Sequence, residues 1–150
     1  MVCNFYKKIT NYSKQINKAL VEKIIKLTAK ELKQRYNFEI TVILVGNQKI
    51  RSLNKQYRHK DKVTDVLSFA QAEGEQIALP QKEPHYLGDI FIAYPQVIKQ
   101  AKKYNYSVKE EFSLLLIHGC LHLFGYEHKT KKEDLQMKQI QDKVMTKLYD

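Results

Sequence analysis

Apolar positions recur about one helical turn apart in three segments of the chain. Segment 14–35 and a segment near the C-terminus have the pattern of amphipathic helices, and segment 48–57 predicts a shorter helix. The apolar positions are Ile16, Leu20, Ile24, Leu27 and Leu32 in the first segment, Ile50, Leu53 and Tyr57 in the second, and Leu135, Ile140, Val144 and Leu148 in the third.

Three other segments are rich in residues that favour strands. FEITVILV (38–45) ends at a Gly-Asn pair, which predicts a strand followed by a turn. DVLSFA (65–70) and LGDIFIAY (87–94) predict two further strands, and the stretch between them (73–86) has the composition of a loop or an irregular hairpin. Because strands and helices do not alternate regularly, we predict an α+β fold, with a small mixed sheet packed against several helices.

The third strand is followed by two predicted helices. Pro95 suits the first turn of a helix that runs to about Tyr104, since the N–H group that proline lacks is unpaired there in any case. Ser107 and Glu110 form a Ser-x-x-Glu capping box, which predicts the start of the next helix. That helix is apolar on nearly all sides and ends at Gly125, so we expect it to be the buried central helix.

The composition limits the class of protein. A chain of 150 residues suits one domain, 1–150. It has no apolar run long enough to cross a membrane and a polar N-terminal segment, so we expect a cytoplasmic protein without a membrane partner. Three of its 26 basic residues are arginine, which leaves 23 lysines, and the net charge is +10. This charge favours a polyanionic partner such as nucleic acid, although a general compositional bias toward lysine would produce the same value.

Three of the five histidines lie in HGCLHLFGYEH, residues 118–128. His118 and His122 are four positions apart and therefore share one face of the helix. Gly125 allows the chain to turn and bring His128 back toward that face. Three neutral imidazoles with one open position form a typical catalytic zinc site, so we predict that these histidines bind one Zn²⁺. Ordinary histidines with hydrogen-bond partners in the core are the alternative.

The same spacing, H-x-x-x-H-x-x-G-x-x-H, occurs in metzincin proteases. In those enzymes the residue after the first histidine is a glutamate that activates the zinc-bound water. This chain has Gly119 at that position. The sequence therefore favours a different reaction at a similar metal site, and a metalloprotease-like hydrolase is the less favoured alternative.

A second group of polar residues precedes the predicted strand 65–70. Arg58 lies near Lys55, Lys60 and Lys62 in a chain that otherwise uses lysine for most basic positions. The planar guanidinium group can bind two phosphate oxygens at once, which an ammonium group cannot do. Either a phosphate-binding segment or a solvated charged loop fits this stretch on its own.

Taken together, these stretches resemble the YbeY family of bacterial endoribonucleases. HGCLHLFGYEH is similar to the family signature H-G-x-L-H-L-x-G-[YF]-D-H. LNKQYRHKDKVTDVLSF is similar to the block L-N-x-x-[YF]-R-x-x-D-x-P-T-D-V-L-S-F, and LGDIFIA to L-G-D-I-x-I. The three blocks occur in the same order as in the family, between about residue 45 and residue 128.

The resemblance implies a zinc-dependent endoribonuclease specific for single-stranded RNA. It implies a role in maturation of the 16S rRNA 3′ end and in ribosome quality control, with the small ribosomal subunit and its assembly factors as partners. His118, His122 and His128 would bind the zinc, and Arg58 would be the catalytic or phosphate-binding residue. We expect Lys55, Lys60 and Lys62 to contact the RNA backbone.

Three positions depart from the family pattern: His59, Val63 and Glu127, where a small residue, Pro and Asp are usual. Asp65 and Glu127 are the nearest carboxylates to the motifs, and either is a candidate general base or partner of a metal ligand. A ribosome-assembly factor that binds rRNA and uses zinc only to stabilise its fold is the alternative function. A closed metal site would favour that alternative, and an open position beside Arg58 would favour the enzyme.

Overall fold

The computed structural model describes residues 1–71 and 84–150. In chain order the elements are β1 (Val2–Lys7), α1 (Lys18–Glu31), β2 (Phe38–Val45), α2 (Asn47–Arg58), β3 (Val66–Ala70), β4 (His85–Ala93), α3 (Tyr94–Tyr104), α4 (Val108–Leu123) and α5 (Lys131–Tyr149). None of these helices is long and apolar enough to cross a membrane. The predicted α+β class is confirmed.

The four described strands form one mixed sheet in the order β1-β2-β4-β3. β1 and β4 run parallel to β2, and β3 runs antiparallel to β4. Side chains of β2 alternate between the two faces, as the pleat of a strand requires. Phe38 and Ile40 belong to the larger apolar core on one face, whereas Ile43 and Val45 belong to a smaller core on the other face.

Helices cover both faces of the sheet. Ile50 and Leu53 of α2 are part of the smaller core. On the other face α4 contacts β3 and β4, and α1 and α5 contact α4 from the outside. Phe112 and Leu116 of α4 are fully buried. The prediction of a buried central helix is therefore confirmed.

The N-terminal strand was not predicted from the sequence. Residues 2–7 alternate only weakly between polar and apolar side chains, and their pairing partner β2 lies more than 30 residues away. Cys3 is the buried residue of this strand. The strand forms because it pairs with the edge of β2, and the pattern of residues 2–7 alone does not indicate a pairing with a distant segment.

Several predicted boundaries were wrong. The first helix begins at Lys18 rather than at residue 14, because the side chain of Asn17 accepts a hydrogen bond from the backbone N–H of Leu20 and caps the helix. β4 begins at His85, inside the predicted loop, and Tyr94 opens α3 instead of ending the strand. The rest of that predicted loop, up to residue 83, lies outside the described residues.

The last helix buries the predicted face except at its first position. Val144 is buried, and Ile140 and Leu148 are partly buried against the larger core, as predicted. Leu135, however, is 58% exposed, and Met137 is buried instead. The buried face thus starts at Met137, one turn before Ile140.

Candidate metal centre and flanking cavities

Helix α4 positions the first two histidines. The Ser107 side chain accepts a hydrogen bond from the Glu110 backbone, and the Glu110 carboxylate accepts one from the Ser107 backbone, so the predicted capping box is present. From this fixed start the helix runs through the core to Leu123. His118 and His122 lie one turn apart near its C-terminal end, and both are half-buried.

The turn after α4 brings the third histidine to the other two. Gly125 has a φ of 96°, a left-handed conformation that glycine adopts without steric cost. Its N–H donates to the His122 carbonyl, and the Tyr126 N–H donates to the Leu121 carbonyl, which together form a Schellman motif. The chain then reverses direction, and the ring of His128 lies 5.5 Å from that of His118 and 5.2 Å from that of His122.

The three imidazoles converge on one point. One ring nitrogen from each of His118, His122 and His128 lies within 4.8 Å of the other two, and this group could hold a metal ion. The two Nε2 atoms of His118 and His122 are 3.0 Å apart. Ligand nitrogens on a tetrahedral Zn²⁺ are about 3.3 Å apart when each Zn–N bond is 2.0–2.1 Å, so a small outward shift would fit the ion.

The other nitrogens of these two rings contact specific partners. His122 Nδ1 lies 2.9 Å from the Tyr126 carbonyl, which can only accept, so this nitrogen carries the proton and the His122 Nε2 lone pair faces the cluster. His118 Nδ1 lies 2.9 Å from the side-chain amide of Gln141 in α5. Sequence reasoning missed Gln141, because no motif marks it and only the packing of α5 brings it to His118.

Both helical histidines are neutral at physiological pH. Burial, followed by the neighbouring His122 and His128 rings, lowers the pKa of His118 to about 4. Burial is also the main cause that lowers the pKa of His122. Neutral imidazoles keep the lone pairs that a metal ion requires, so the surroundings of the cluster suit metal binding.

Gly119 is required by the close packing of α4 on the sheet. A Cβ atom at this position would lie 2.8 Å from Ile90 Cγ2, and the Ser68 hydroxyl donates to the Gly119 carbonyl at 3.2 Å. A glutamate here would point at the sheet and away from the histidines. The base that a metzincin protease uses thus has no equivalent at this position, as the sequence indicated.

Arg58 lines a cavity beside the cluster. This Arg58 cavity has a volume of about 300 Å³ and is also lined by His122, Tyr126 and Glu127. Arg58 Nη2 donates to the Ser68 carbonyl at 2.8 Å, and the guanidinium carbon lies 4.9 Å from the centre of the Phe69 ring. These contacts fix the plane of the guanidinium group next to the histidines.

The predicted carboxylates take different positions. Asp65 accepts hydrogen bonds from the Val66 backbone and the Gln100 side chain, and it lines a second cavity together with His118. The Glu127 carboxylate lies 3.1 Å from Lys129 Nζ, and both side chains are largely exposed. The group that contacts His122 Nδ1 is the Tyr126 carbonyl, not the neighbouring Glu127 side chain.

The predicted RNA-contacting lysines lie at and after the end of α2. Lys55, Lys60 and Lys62 are all exposed, and none of them lines the Arg58 cavity. His59 ends the helix in a left-handed conformation with φ 58°, which explains why a small residue would suit this position. Val63 is 36% exposed in the loop that follows.

Comparison with known proteins identifies the family. A family model described as Endoribonuclease YbeY matches residues 2–149. Endoribonuclease YbeY of Sulfurihydrogenibium sp. (strain YO3AOP1) is 42% identical over 140 residues, covering 91% of this chain and 87% of that protein. Endoribonuclease YbeY of Bacillus subtilis (strain 168) is 41% identical over 120 residues, covering 78% and 76%.

A solved structure has the same fold. The solution structure of TM1509 from Thermotoga maritima matches with a TM-score of 0.59 and 27% sequence identity, covering 98% of this chain and 91% of that one. The family model spans the sheet, the histidine cluster and Arg58 alike. The chain therefore belongs to the endoribonuclease YbeY family.

Proposed function

We propose that this protein is a zinc-dependent endoribonuclease that cleaves single-stranded RNA during maturation of the 16S rRNA 3′ end. One observation carries the proposal: three histidines that could hold a metal ion lie beside a cavity lined by Arg58. Membership of an endoribonuclease family supplies the reaction class.

Each residue of the site would have a different role in phosphodiester cleavage. His118, His122 and His128 would hold the Zn²⁺, which supplies a Lewis acid for a phosphate oxygen and lowers the pKa of bound water. Arg58 would bind the phosphate from the side of the Arg58 cavity and stabilise the negative charge that develops on phosphorus. Asp65 and Glu127 would contribute negative charge near His118 and His122, respectively.

An enzyme fits the site better than a zinc that only stabilises the fold. Structural zinc sites are usually closed by four protein ligands, commonly including cysteine. Both cysteines of this chain are buried, and Cys120 belongs to the core rather than to the histidine cluster. His128 is exposed, so solvent or a substrate can reach the cluster from its side.

The proposal includes a cellular location and partners. We place the activity in the cytoplasm, in ribosome quality control as well as rRNA maturation, with the small ribosomal subunit and its assembly factors as partners. Residues 1–150 would act as a single domain. Lys55, Lys60 and Lys62 would contact the RNA backbone and raise its affinity without reading its sequence.

Replacing Arg58 separates catalysis from simple attraction. Arg58→Lys keeps the charge but loses the planar group that Phe69 and the Ser68 carbonyl hold in place. A charge-assisted hydrogen bond contributes about 1.5–3 kcal/mol, so we expect cleavage to slow by roughly 10- to 100-fold while RNA affinity changes much less. The measurement is single-turnover cleavage of a short labelled RNA by zinc-loaded protein, beside its binding curve.

Arg51→Lys is the matched control, because Arg51 lies on the same helix and pairs with Asp61 at an exposed position. It should cleave at the wild-type rate. Equal rates for wild type, Arg58→Lys and Arg58→Ala would refute a catalytic part for Arg58. Removal of the metal by a chelator should abolish cleavage, and unchanged cleavage by metal-free protein would refute the zinc-dependent reaction.

A further inference from the structure

The second cavity, the His118 cavity, extends from the histidine cluster along α4. It has a volume of about 360 Å³, and its walls include Asp65, Val66, Leu115, His118 and Gln141. Val66 also lines the Arg58 cavity, so the two cavities adjoin at β3. A strand bound with a phosphate at Arg58 would therefore have space for a neighbouring nucleotide in the His118 cavity.

Two tyrosines form the outer part of this cavity. Tyr104 ends α3, and Tyr106 lies in the short link to α4; they are 55% and 52% exposed, respectively. Between them Asn105 adopts a left-handed conformation with φ 59°, and the Tyr106 N–H donates to the Ala101 carbonyl, so the link is fixed. Exposed aromatic rings at the entrance to a largely apolar cavity are suited to stacking on a planar base.

A buried acid lines the same cavity at the other end. Glu111 lies seven residues before His118, which places it two helical turns, or about 10 Å, along the same face of α4. The residue is 2% exposed, and its Oε2 has no hydrogen-bond partner among the described residues. A buried acceptor without a donor is unfavourable, and a ligand that brings an N–H group would relieve that cost.

We propose that the His118 cavity binds one unpaired nucleobase of the RNA, stacked on Tyr104 and Tyr106, with its exocyclic amino group directed to Glu111. This inference rests on the proposed function, because the strand enters through the histidine cluster and Arg58. A paired base could not leave its helix to enter the cavity without losing its partner, so the cavity selects single-stranded RNA.

Abasic substitutions test the cavity directly. Short RNAs that each lack one base are titrated on ice against zinc-loaded wild type, Tyr104→Ala and Tyr106→Ala, and a denaturing gel checks that the RNA is uncut in each titration. In wild type, one abasic position should weaken binding roughly 10- to 100-fold, the range expected for one stacked base. In the tyrosine variants the intact RNA should bind about as weakly as that abasic RNA does, and removing the base should cost little more.

Tyr6→Ala is the matched control, since Tyr6 is 53% exposed on β1 at the opposite edge of the sheet. It should bind both RNAs like wild type. If removing the base weakens binding by the same factor in wild type and in every variant, the nucleobase cavity is refuted. It is also refuted if the tyrosine variants behave like Tyr6→Ala. A parallel cleavage assay uses the unmodified RNAs.

The two assays distinguish the two proposals. Wild-type protein that cleaves RNA but binds it without base dependence would overturn the cavity and leave the proposed function intact. Base-dependent binding without cleavage would support the cavity and overturn the enzyme.

Glu111 gives the cavity a testable preference among bases. Cytosine carries an amino group where uracil carries a carbonyl, so cytosine at the sensitive position should bind about 10-fold more tightly than uracil. Glu111→Met removes the acceptor at similar length and should abolish the difference while keeping the effect of the tyrosines. Equal binding of the two bases by wild type would refute the contact with Glu111.

Discussion

At the scale of single residues, the hydrogen bonds of the cluster define how His118 must change to bind a metal ion. His122 Nδ1 donates to the Tyr126 carbonyl, so its Nε2 is an acceptor, and His118 Nε2 must donate across the 3.0 Å gap. The Gln141 amide N–H then donates to His118 Nδ1. A metal at the cluster would need the His118 Nε2 lone pair, so the proton would have to move to Nδ1 and the Gln141 amide would have to turn and present its oxygen.

Two replacements of Gln141 should differ in their effect on metal affinity. Gln141→Met removes the partner of His118 Nδ1, and we expect zinc affinity to fall by roughly 10- to 100-fold. Gln141→Glu offers a stronger acceptor to Nδ1–H and should bind zinc at least as tightly as wild type. Competition titration with a chromogenic chelator measures the affinities, and ¹⁵N shifts of the imidazoles report the tautomer of His118.

Gln139→Met is the control, because Gln139 is exposed on the same helix. Affinities that are equal in wild type, Gln141→Met and Gln139→Met would show that Gln141 does not position His118. The convergence of the three histidines could be predicted because it depends on local spacing, whereas the roles of these histidines and of Arg58 stay predictions. Gln141 could not be predicted, since its contact with His118, 23 positions earlier in the chain, depends on how α4 and α5 pack against each other.

At the scale of elements, local signals predicted those elements that local interactions define. The bounds of β2 and the capping box of α4 were correct, because a β-rich run and a side-chain cap both act within a few residues. β1 was missed, and Leu135 was assigned to the wrong face of α5. Both errors arise because the partner surface is distant in the chain, and burial there depends on tertiary packing.

The turn at the end of α4 shows how one element completes the site. Gly125→Ala keeps space around the new Cβ, since nothing lies within 4 Å of it, but forces alanine into a left-handed conformation. We expect the free energy of unfolding to fall by about 1–2 kcal/mol in urea titrations of the metal-free protein. Zinc affinity should fall as well, because this turn brings His128 to the cluster.

Two further variants make this result specific. Gly46→Ala is the control, because Gly46 has a φ of −90° and a Cβ there would meet only Ile9, at 3.9 Å. It should change the free energy of unfolding much less than Gly125→Ala does. Gly125→Asn should recover part of the loss, as asparagine tolerates this conformation better than alanine. A Gly125→Ala protein as stable as wild type would contradict the argument.

At the scale of the whole molecule, the net charge of +10 would attract a polyanion such as RNA even without a specific binding site. Lys55, Lys60 and Lys62 belong to α2 and the loop that leads to β3, the strand that borders both cavities. β1 forms the opposite edge of the sheet, about 14 Å away at the usual strand spacing. Lysines at these two edges therefore allow local contact to be separated from general attraction.

Two triple variants with the same change in net charge distinguish local contact with the RNA from general attraction. Replacing Lys55, Lys60 and Lys62 with glutamine should weaken RNA binding and make it less sensitive to salt. Each phosphate contact of a single strand contributes about 0.7 to the slope of log affinity against log salt, so three lost contacts should reduce the slope by about 2. Replacing Lys7, Lys8 and Lys14 with glutamine should leave the slope nearly unchanged, because these lysines are exposed on β1 and the segment after it.

The measurement is fluorescence anisotropy of a labelled single-stranded RNA across a salt series. Equal slopes for the two triple variants would mean that the RNA is held by the overall charge, and would remove Lys55, Lys60 and Lys62 from the binding site.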